Sequence, residues 1–142
     1  MSRSGRRNLL DTDELGREIA AALGRERYVS LMTLKRDGGE VRTPIWIARV
    51  EDKLYALSDG TTMKIKRLRR NPRIQLAPCN ARGKVSGEWR EGSGRVADDP
   101  AVSAQASQAL ALKYGWQFAL LTFASRLFGR IGRRVIIEFS MD

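Results

Sequence analysis

The chain has 142 residues, of which 42% are hydrophobic and 30% are charged, and this is the length and composition of one folded domain. Its 26 basic residues outnumber its 16 acidic residues and give a formal net charge of +10, so an anionic ligand or surface is the expected partner. Histidine is absent, which excludes a Ser-His-Asp or Cys-His nucleophile, an imidazole general base and a histidine-ligated zinc site.

The first half of the chain is dominated by strand patterns. Apolar spacing predicts a helix over about residues 12–23, with Asp11 and Glu14 at capping-box spacing. An alternating strand then enters a tight turn at Asp-Gly-Gly and returns as the β-rich arm EVRTPIWIARV. Because Pro44 cannot donate to a ladder, we expect this second strand at an edge, broken near Pro44.

The remaining elements complete an antiparallel sheet. KLYALS is a third strand, and RIQLAPC and KVSGEWREGSGRVA are two more, with bulges expected at the glycines of the last. Asp-Asp-Pro at residues 98–100 begins a helix that Gly115 ends, and the apolar helical stretch WQFALLTFASRLF precedes a final strand, RRVIIEFSM. We therefore predict an α+β fold, a small six-stranded antiparallel barrel with peripheral helices.

The stretch SDGTTMKIKRLRRNP, residues 58–72, combines a Ser/Thr/Gly loop with a basic helix. The pattern predicts a helix over about residues 62–70 with Thr61 or Thr62 as its N-cap. Ile65 and Leu68 would face the core.

The basic residues of this helix divide into two groups. Arg69 and Arg70 fall in the last turn, where cations complement the helix dipole. Lys64 and Lys66 lie in or just past the first turn, where a cation is unfavourable by about 0.3 to 1 kcal/mol. An anion would remove that cost, and the first-turn N–H groups beside the loop could hold a phosphate. A solvated basic helix with an ordinary cap is the alternative interpretation.

Cysteine use and apolar content limit the location of the protein. The single Cys79 cannot form an intrachain disulfide and is expected to be a small buried hydrophobe. The longest apolar stretch, residues 116–124, is shorter than the roughly 20 residues that span a bilayer. We therefore expect one cytoplasmic domain over residues 1–142 without membrane insertion, in which residues 1–10 form a mobile basic N-terminus.

The order of these motifs resembles a known superfamily. A hairpin, VRTPIWIAR, a third strand, S-x(5)-K-x(3)-L-x(2)-NPR and a further strand resemble the flavin-binding split barrels of pyridoxamine 5'-phosphate oxidase. Within that superfamily the chain is most similar to the short bacterial PPOX-class oxidoreductases that use the deazaflavin coenzyme F-420. The resemblance covers about residues 25–139, and its most specific parts are TPIW and KRLRRNPRI-LAPC. It implies an FMN-binding split-barrel fold and hydride transfer between coenzyme F-420, or FMN as the alternative cofactor, and a small organic substrate.

The resemblance also implies two groups of cofactor-binding residues. The strand group would flank the ring or ribityl chain and consists of Arg42, Thr43, Pro44, Ile45 and Trp46. The helix group would contact the phosphate and consists of Ser58, Met63 and Lys64, with Arg67 one turn further on, supported only by its position. Hydride transfer is the ring's own reaction, so we assign no catalytic side chain, and no metal ligand is assigned.

The sequence departs from the family pattern in two places. Pyridoxamine phosphate oxidases have an arginine where this chain has Met63, so the phosphate contacts would be partly redistributed. They also have a C-terminal substrate-binding segment after the last strand, whereas this sequence ends at Asp142. We therefore do not expect it to oxidise pyridoxamine phosphate.

Several alternatives remain open. Split-barrel relatives form homodimers with cofactor sites at the shared interface, and we expect the same here. A non-catalytic flavin or deazaflavin carrier is a second function class. A basic nucleic-acid-binding protein is a third, but the chain has no recognisable motif or aromatic stacking strip, so no nucleic acid is expected. The apolar stretch at 116–128 is expected to pack on the barrel or across a dimer, with an acidic membrane surface as the alternative.

Overall fold

A computed structural model of the chain describes residues 14–129 and 131–142. The mobile N-terminus predicted for residues 1–10 and the capping role predicted for Asp11 lie outside these residues. The described residues begin with helix α1, residues 14–24. Seven strands are present: β1 (Tyr28–Leu34), β2 (Glu40–Ile45), β3 (Ala48–Val50), β4 (Lys53–Asp59), β5 (Arg73–Cys79), β6 (Arg90–Val96) and β7 (Arg134–Met141). The further helices are α2 (Met63–Arg70), α3 (Pro100–Tyr114), α4 (Trp116–Leu127) and a 3-10 turn at Ile131–Arg133.

The strands form one antiparallel sheet in the order β2-β1-β5-β6-β7-β4-β3. β2 and β3 lie at opposite ends of this order, yet only Trp46 and Ile47 separate them in the chain. The three peptide steps from Ile45 to Ala48 span at most about 11 Å. The sheet must therefore curl until its two edges meet at this point, which makes it a barrel.

The predicted count of six strands is wrong, because the expected second strand is two strands. Its first part pairs with β1 and its second part pairs with β4, so the chain changes partner at Trp46 and Ile47. The break therefore follows Ile45 and does not lie at Pro44, which stays in the ladder opposite Ser30. Pro44 is tolerated there because β2 is an edge strand, as expected.

The barrel interior and its outer face are packed separately. Leu31, Leu76 and Phe139 belong to the inner core, which α1 and α2 complete with Ile19, Leu23, Ile65 and Leu68. The predicted inward position of Ile65 and Leu68 is thus confirmed, with exposed fractions of 1% and 3%. On the outside, α3 covers β3, β4 and β7 through a second cluster: Ala48, Tyr55, Ala106, Leu110, Tyr114 and Ile136.

The glycines of β6 do not form bulges, contrary to expectation. Gly92 and Gly94 stay in regular register with β7. A Cβ at Gly94 would lie 3.1 Å from the ring of Phe139, and one at Gly92 would lie 2.6 Å from the carbonyl oxygen of Ser140. Glycine is needed here because β6 and β7 approach each other closely.

α4 packs on the barrel through Phe118, whereas most of its other large apolar side chains do not, and the expected contact across a dimer stays a prediction. None of its residues is buried, and Trp116 and Phe123 are 72% and 65% exposed. The described helices include none that is both long enough and apolar enough to span a bilayer.

Candidate functional site

The two edges of the sheet separate on one side of the point where β2 and β3 meet. In the described chain, β3 pairs with β4 only as far as Tyr55, so residues 56–59 have no strand beside them on that side. β2 likewise pairs with β1 alone. We call the gap between β2 and residues 56–59 the split. Its two lips carry strand-edge N–H and C=O groups that are available to a ligand.

The two predicted groups of cofactor residues lie on opposite lips of this split. Extending the β3–β4 register past Ala48 and Tyr55 would place Ile45 opposite Ser58 and Thr43 opposite Gly60. The strand group therefore forms one lip, and the loop that leads into α2 forms the other. This extended register would place two segments that are more than ten residues apart in the chain across the split from each other, although the two segments do not pair.

The strand group does not present its side chains on one face. Arg42 and Pro44 point outward and are exposed, whereas Thr43 and Ile45 point toward the barrel interior. The Arg42 guanidinium lies 5.0 Å from the ring centroid of Trp89 and 3.3 Å from the Glu40 carboxylate. A ligand in the split would therefore meet alternate side chains of β2 together with its backbone.

Trp46 is held in place by the C-terminal end of α3. Its ring stacks on that of Tyr114, with 4.4 Å between centroids and an interplanar angle of 8°. The Tyr114 hydroxyl accepts a hydrogen bond from the Ile47 N–H at 2.9 Å and donates one to the Arg27 carbonyl at 2.8 Å. Burial raises the pKa of Tyr114 to about 12, so the hydroxyl remains a donor at neutral pH. α3 thereby fixes the closed end of the split.

Lys113, the residue before Tyr114, also contacts the segments at the closed end of the split. Its ammonium donates hydrogen bonds to the carbonyl oxygens of Gly24, Glu26 and Ile47 at 2.9, 2.6 and 2.5 Å. Sequence reasoning assigned no such role to Lys113 or Tyr114, because the contacts cross more than sixty residues of chain.

The loop before α2 is held by hydrogen bonds within the loop and to the segment entering β7. The Asp59 carboxylate accepts hydrogen bonds from the backbone N–H and the hydroxyl of Thr61, at 2.8 and 2.6 Å. A Cβ at Gly60 would lie 3.1 Å from the Arg133 carbonyl oxygen, and the Gly60 N–H donates to that oxygen at 2.7 Å. Gly60 is therefore required for close approach to the segment entering β7.

Thr62 is the N-cap residue of α2, as predicted, but its hydroxyl does not cap the helix. It donates instead to the Asp59 carbonyl at 3.0 Å and lies 3.5 Å from the hydroxyl of Ser58, which is buried. The first-turn N–H groups of α2 therefore have no side-chain cap from Thr62, and they remain available to an anion.

Lys64 and Arg67 form an unneutralised pair of cations on one face of α2. Burial and then the charge of Arg67 lower the pKa of Lys64, which has no hydrogen-bond or carboxylate partner within the described chain. Arg67 donates from Nε to the buried hydroxyl of Thr33 at 2.8 Å. Thr33 is the ladder partner of Val41 in β2, so Arg67 reaches toward the strand lip. An anion here would offset both the burial of Lys64 and its repulsion by Arg67.

A groove next to this pair is lined almost entirely by cations. It has a volume of about 700 Å³, and Lys35 and Arg36 of the β1–β2 hairpin line it together with residues of α2. We call it the basic groove; its α2 residues are Met63, Lys66, Arg67, Arg69 and Arg70. Sequence reasoning missed Lys35 and Arg36, because nothing local indicates that the hairpin lies against α2.

Arg69 and Arg70 therefore have contacts beyond their favourable interaction with the dipole of α2. Both side chains line the basic groove, and Arg70 also donates a hydrogen bond to the Leu34 carbonyl at 3.0 Å. The prediction that they mostly serve the helix end does not include these contacts. Both are exposed, so their charges are better screened by solvent than that of Lys64.

Comparisons with known proteins identify the fold. No protein-family model matches the sequence, and no curated protein matches it. A Listeria innocua protein assigned as a pyridoxamine 5'-phosphate oxidase is 14% identical with a TM-score of 0.60, over 90% of this chain and 94% of its own. An F-420 reductase is 18% identical with a TM-score of 0.56, over 84% and 90% of the two chains. The haem storage protein HutZ of Vibrio cholerae is 10% identical with a TM-score of 0.64, over 88% of each. The predicted fold class is thus confirmed as a split barrel like that of pyridoxamine phosphate oxidase.

Proposed function

We propose that the protein is an oxidoreductase that binds coenzyme F-420 and transfers hydride to or from a small organic substrate. The observation that carries this proposal is the half-buried, unpartnered Lys64 beside Arg67, which donates a hydrogen bond to Thr33 next to β2. Similar folds in an F-420 reductase and a protein assigned as a pyridoxamine phosphate oxidase support a flavin-type cofactor. FMN in the same site is the alternative.

The residues on the two lips would bind different parts of the cofactor. Lys64, Arg67, the Ser58 hydroxyl and the first-turn N–H groups of α2, including that of Met63, would hold the phosphate. The strand group would border the ring and ribityl chain through its backbone and the Thr43 and Ile45 side chains, with Arg42, Pro44 and Trp46 at its margins. When bound, the deazaflavin ring supplies the hydride chemistry, while the protein orients it and limits access of water.

The basic groove favours coenzyme F-420 over FMN. The deazaflavin carries a glutamate tail beyond its phosphate and is therefore a longer polyanion than FMN. Arg67 both contacts Thr33 near the split and lines the groove, so a ligand that is anchored at Lys64 can continue along the cations of the hairpin and α2. Charge complementarity of this kind is weakened by salt.

Titration of the purified apoprotein with both cofactors tests this preference. We expect coenzyme F-420 to bind more tightly than FMN at low salt, and we expect the difference to shrink as salt is added. Retained colour after desalting would report the same preference. Tighter binding of FMN at every salt concentration would contradict the assignment of F-420.

Binding should also be coupled to proton uptake by Lys64. Its pKa is lowered in the free protein, and a bound phosphate would raise it, so binding takes up protons in the pH interval between the two values. Affinity should consequently fall as the pH rises through that interval. Calorimetry at alkaline pH in buffers of different ionisation enthalpy measures the uptake, and the Lys64→Met variant should abolish it. Uptake that persists unchanged in this variant would assign the proton to another group.

A non-catalytic carrier remains the second candidate, and the similarity to a haem storage protein is the observation that favours it. A single-turnover experiment distinguishes the two functions. Reduced cofactor on an enzyme is oxidised when a suitable acceptor is added, whereas a carrier protects it. We also propose a cytoplasmic homodimer with the cofactor sites at its interface, where the unpaired edge of β2 would meet the second copy.

A further inference from the structure

Most large apolar side chains of α4 point away from the barrel. Trp116, Leu120, Phe123 and Leu127 recur at i, i+4, i+7 and i+11, which places them on one face of the helix. Their exposed fractions are 72%, 58%, 65% and 68%. We call these four residues the apolar stripe. Leu121 and Phe128 are also exposed and extend the apolar surface beside it.

Phe118 and two polar side chains of α4 face the barrel instead. Gln117 accepts a hydrogen bond from Arg27, and the Thr122 hydroxyl accepts one from Arg134 at 3.2 Å. A helix on the surface of a domain normally turns its apolar face toward the core. Phe118 packs against the outer cluster, whereas the four residues of the apolar stripe do not, so the stripe is a surface that something outside this fold can cover.

The charged residues near the stripe in the sequence favour an anionic partner. The sequence has no acidic residue between Asp99 and Glu138, and this interval contains five cations: Lys113, Arg126, Arg130, Arg133 and Arg134. Arg126 and Arg133 are exposed, on α4 and on the turn that follows it. An apolar helix face with Trp and Phe, on a helix that carries an arginine and no acidic residue, has the composition of helices that lie in the headgroup region of anionic membranes.

We propose that α4 docks the protein peripherally on an anionic phospholipid surface. The apolar stripe would enter the headgroup boundary, and Arg126 and Arg133 would contact lipid phosphates. A second copy of the chain fits less well. The stripe is about 18 Å long and about 10 Å wide, far less than the roughly 800 Å² that each partner of a stable dimer buries.

Vesicle sedimentation tests this proposal on the full-length protein, without any cofactor. We expect co-sedimentation with vesicles of equal parts phosphatidylcholine and phosphatidylglycerol, a decrease with added salt, and little binding to phosphatidylcholine alone. Phe123→Ser combined with Leu127→Ser should weaken binding at least about tenfold. Leu15→Ser, which changes an exposed leucine of α1, is the matched control and should bind as the unchanged protein does.

Two outcomes would overturn the proposal. One is a double variant that still folds, as shown by its circular dichroism, and binds the anionic vesicles as strongly as the unchanged protein. The other is the absence of vesicle binding together with a dimer, detected by sedimentation equilibrium, that dissociates in the double variant. The second result would assign the apolar stripe to contact between copies.

Discussion

Replacing Lys64 with alanine is expected to weaken coenzyme F-420 binding by about 10- to 100-fold. A charge-assisted hydrogen bond to phosphate contributes about 1.5 to 3 kcal/mol, and the Lys64 ammonium has no protein partner that would compete for it in the described chain. The loss is measured by titrating the apoprotein and the variant with the cofactor.

The comparison variant is Arg69→Ala, which removes an exposed cation of the basic groove on the same helix. Its effect on binding should stay within about fivefold, because screened surface charges contribute at most about 1 kcal/mol. The stability of the apoprotein provides a second readout. Lys64→Ala should leave it unchanged or raise it, since the substitution removes a half-buried cation that is repelled by Arg67. Equal losses of binding in the two variants would identify α2 as a solvated basic face.

Replacing Glu138 with alanine is expected to cost about 1 to 3 kcal/mol of unfolding free energy, because a buried hydrogen-bond donor is left without its partner. Glu138 is 5% exposed, and it lies between its ladder partners Tyr55 and Arg95 on β4 and β6. The Tyr55 hydroxyl donates to Oε2 at 3.0 Å, and the Arg95 Nε donates to Oε1 at 3.0 Å. Without the carboxylate, the Tyr55 hydroxyl loses its partner inside the outer cluster. Urea denaturation measures the change.

Glu91→Ala serves as the control for this prediction. Glu91 lies on β6 like Arg95, but its side chain is 65% exposed and its nearest cation, Arg73, is 3.7 Å away. Its removal should change the unfolding free energy by less than about 1 kcal/mol. A similar cost for Glu91→Ala and Glu138→Ala would show that the burial of Glu138 adds nothing to its contribution.

The strands and helices could largely be predicted because their signals are local. Apolar periodicity, the capping Asp99 and Gly115 mark the ends of α3, and the inward positions of Ile65 and Leu68 follow from helical spacing. The separation of β2 from β3 could not be predicted in this way. It depends on which strand each half of residues 40–50 pairs with, and pairing between distant segments leaves no local pattern.

In the candidate site, too, some features have a local sequence signal and others depend on contacts between distant segments. Lys64 stands out in the sequence because a cation in a first helical turn is unfavourable. The part played by Lys35 and Arg36 in the basic groove depends on the packing of a hairpin against α2, which only the folded chain reveals. The orientation of α4 is a further case, since periodicity identifies an apolar face but does not say whether that face turns inward.

The central claim is that the split between β2 and residues 56–59 holds the anionic end of a flavin-type cofactor. A crystal structure of the protein with coenzyme F-420 tests it most directly. We expect a phosphate oxygen within about 3 Å of the Lys64 Nζ and the ring along β2. A phosphate found only among the exposed cations of the basic groove, with the split empty and Lys64 unpaired, would contradict it.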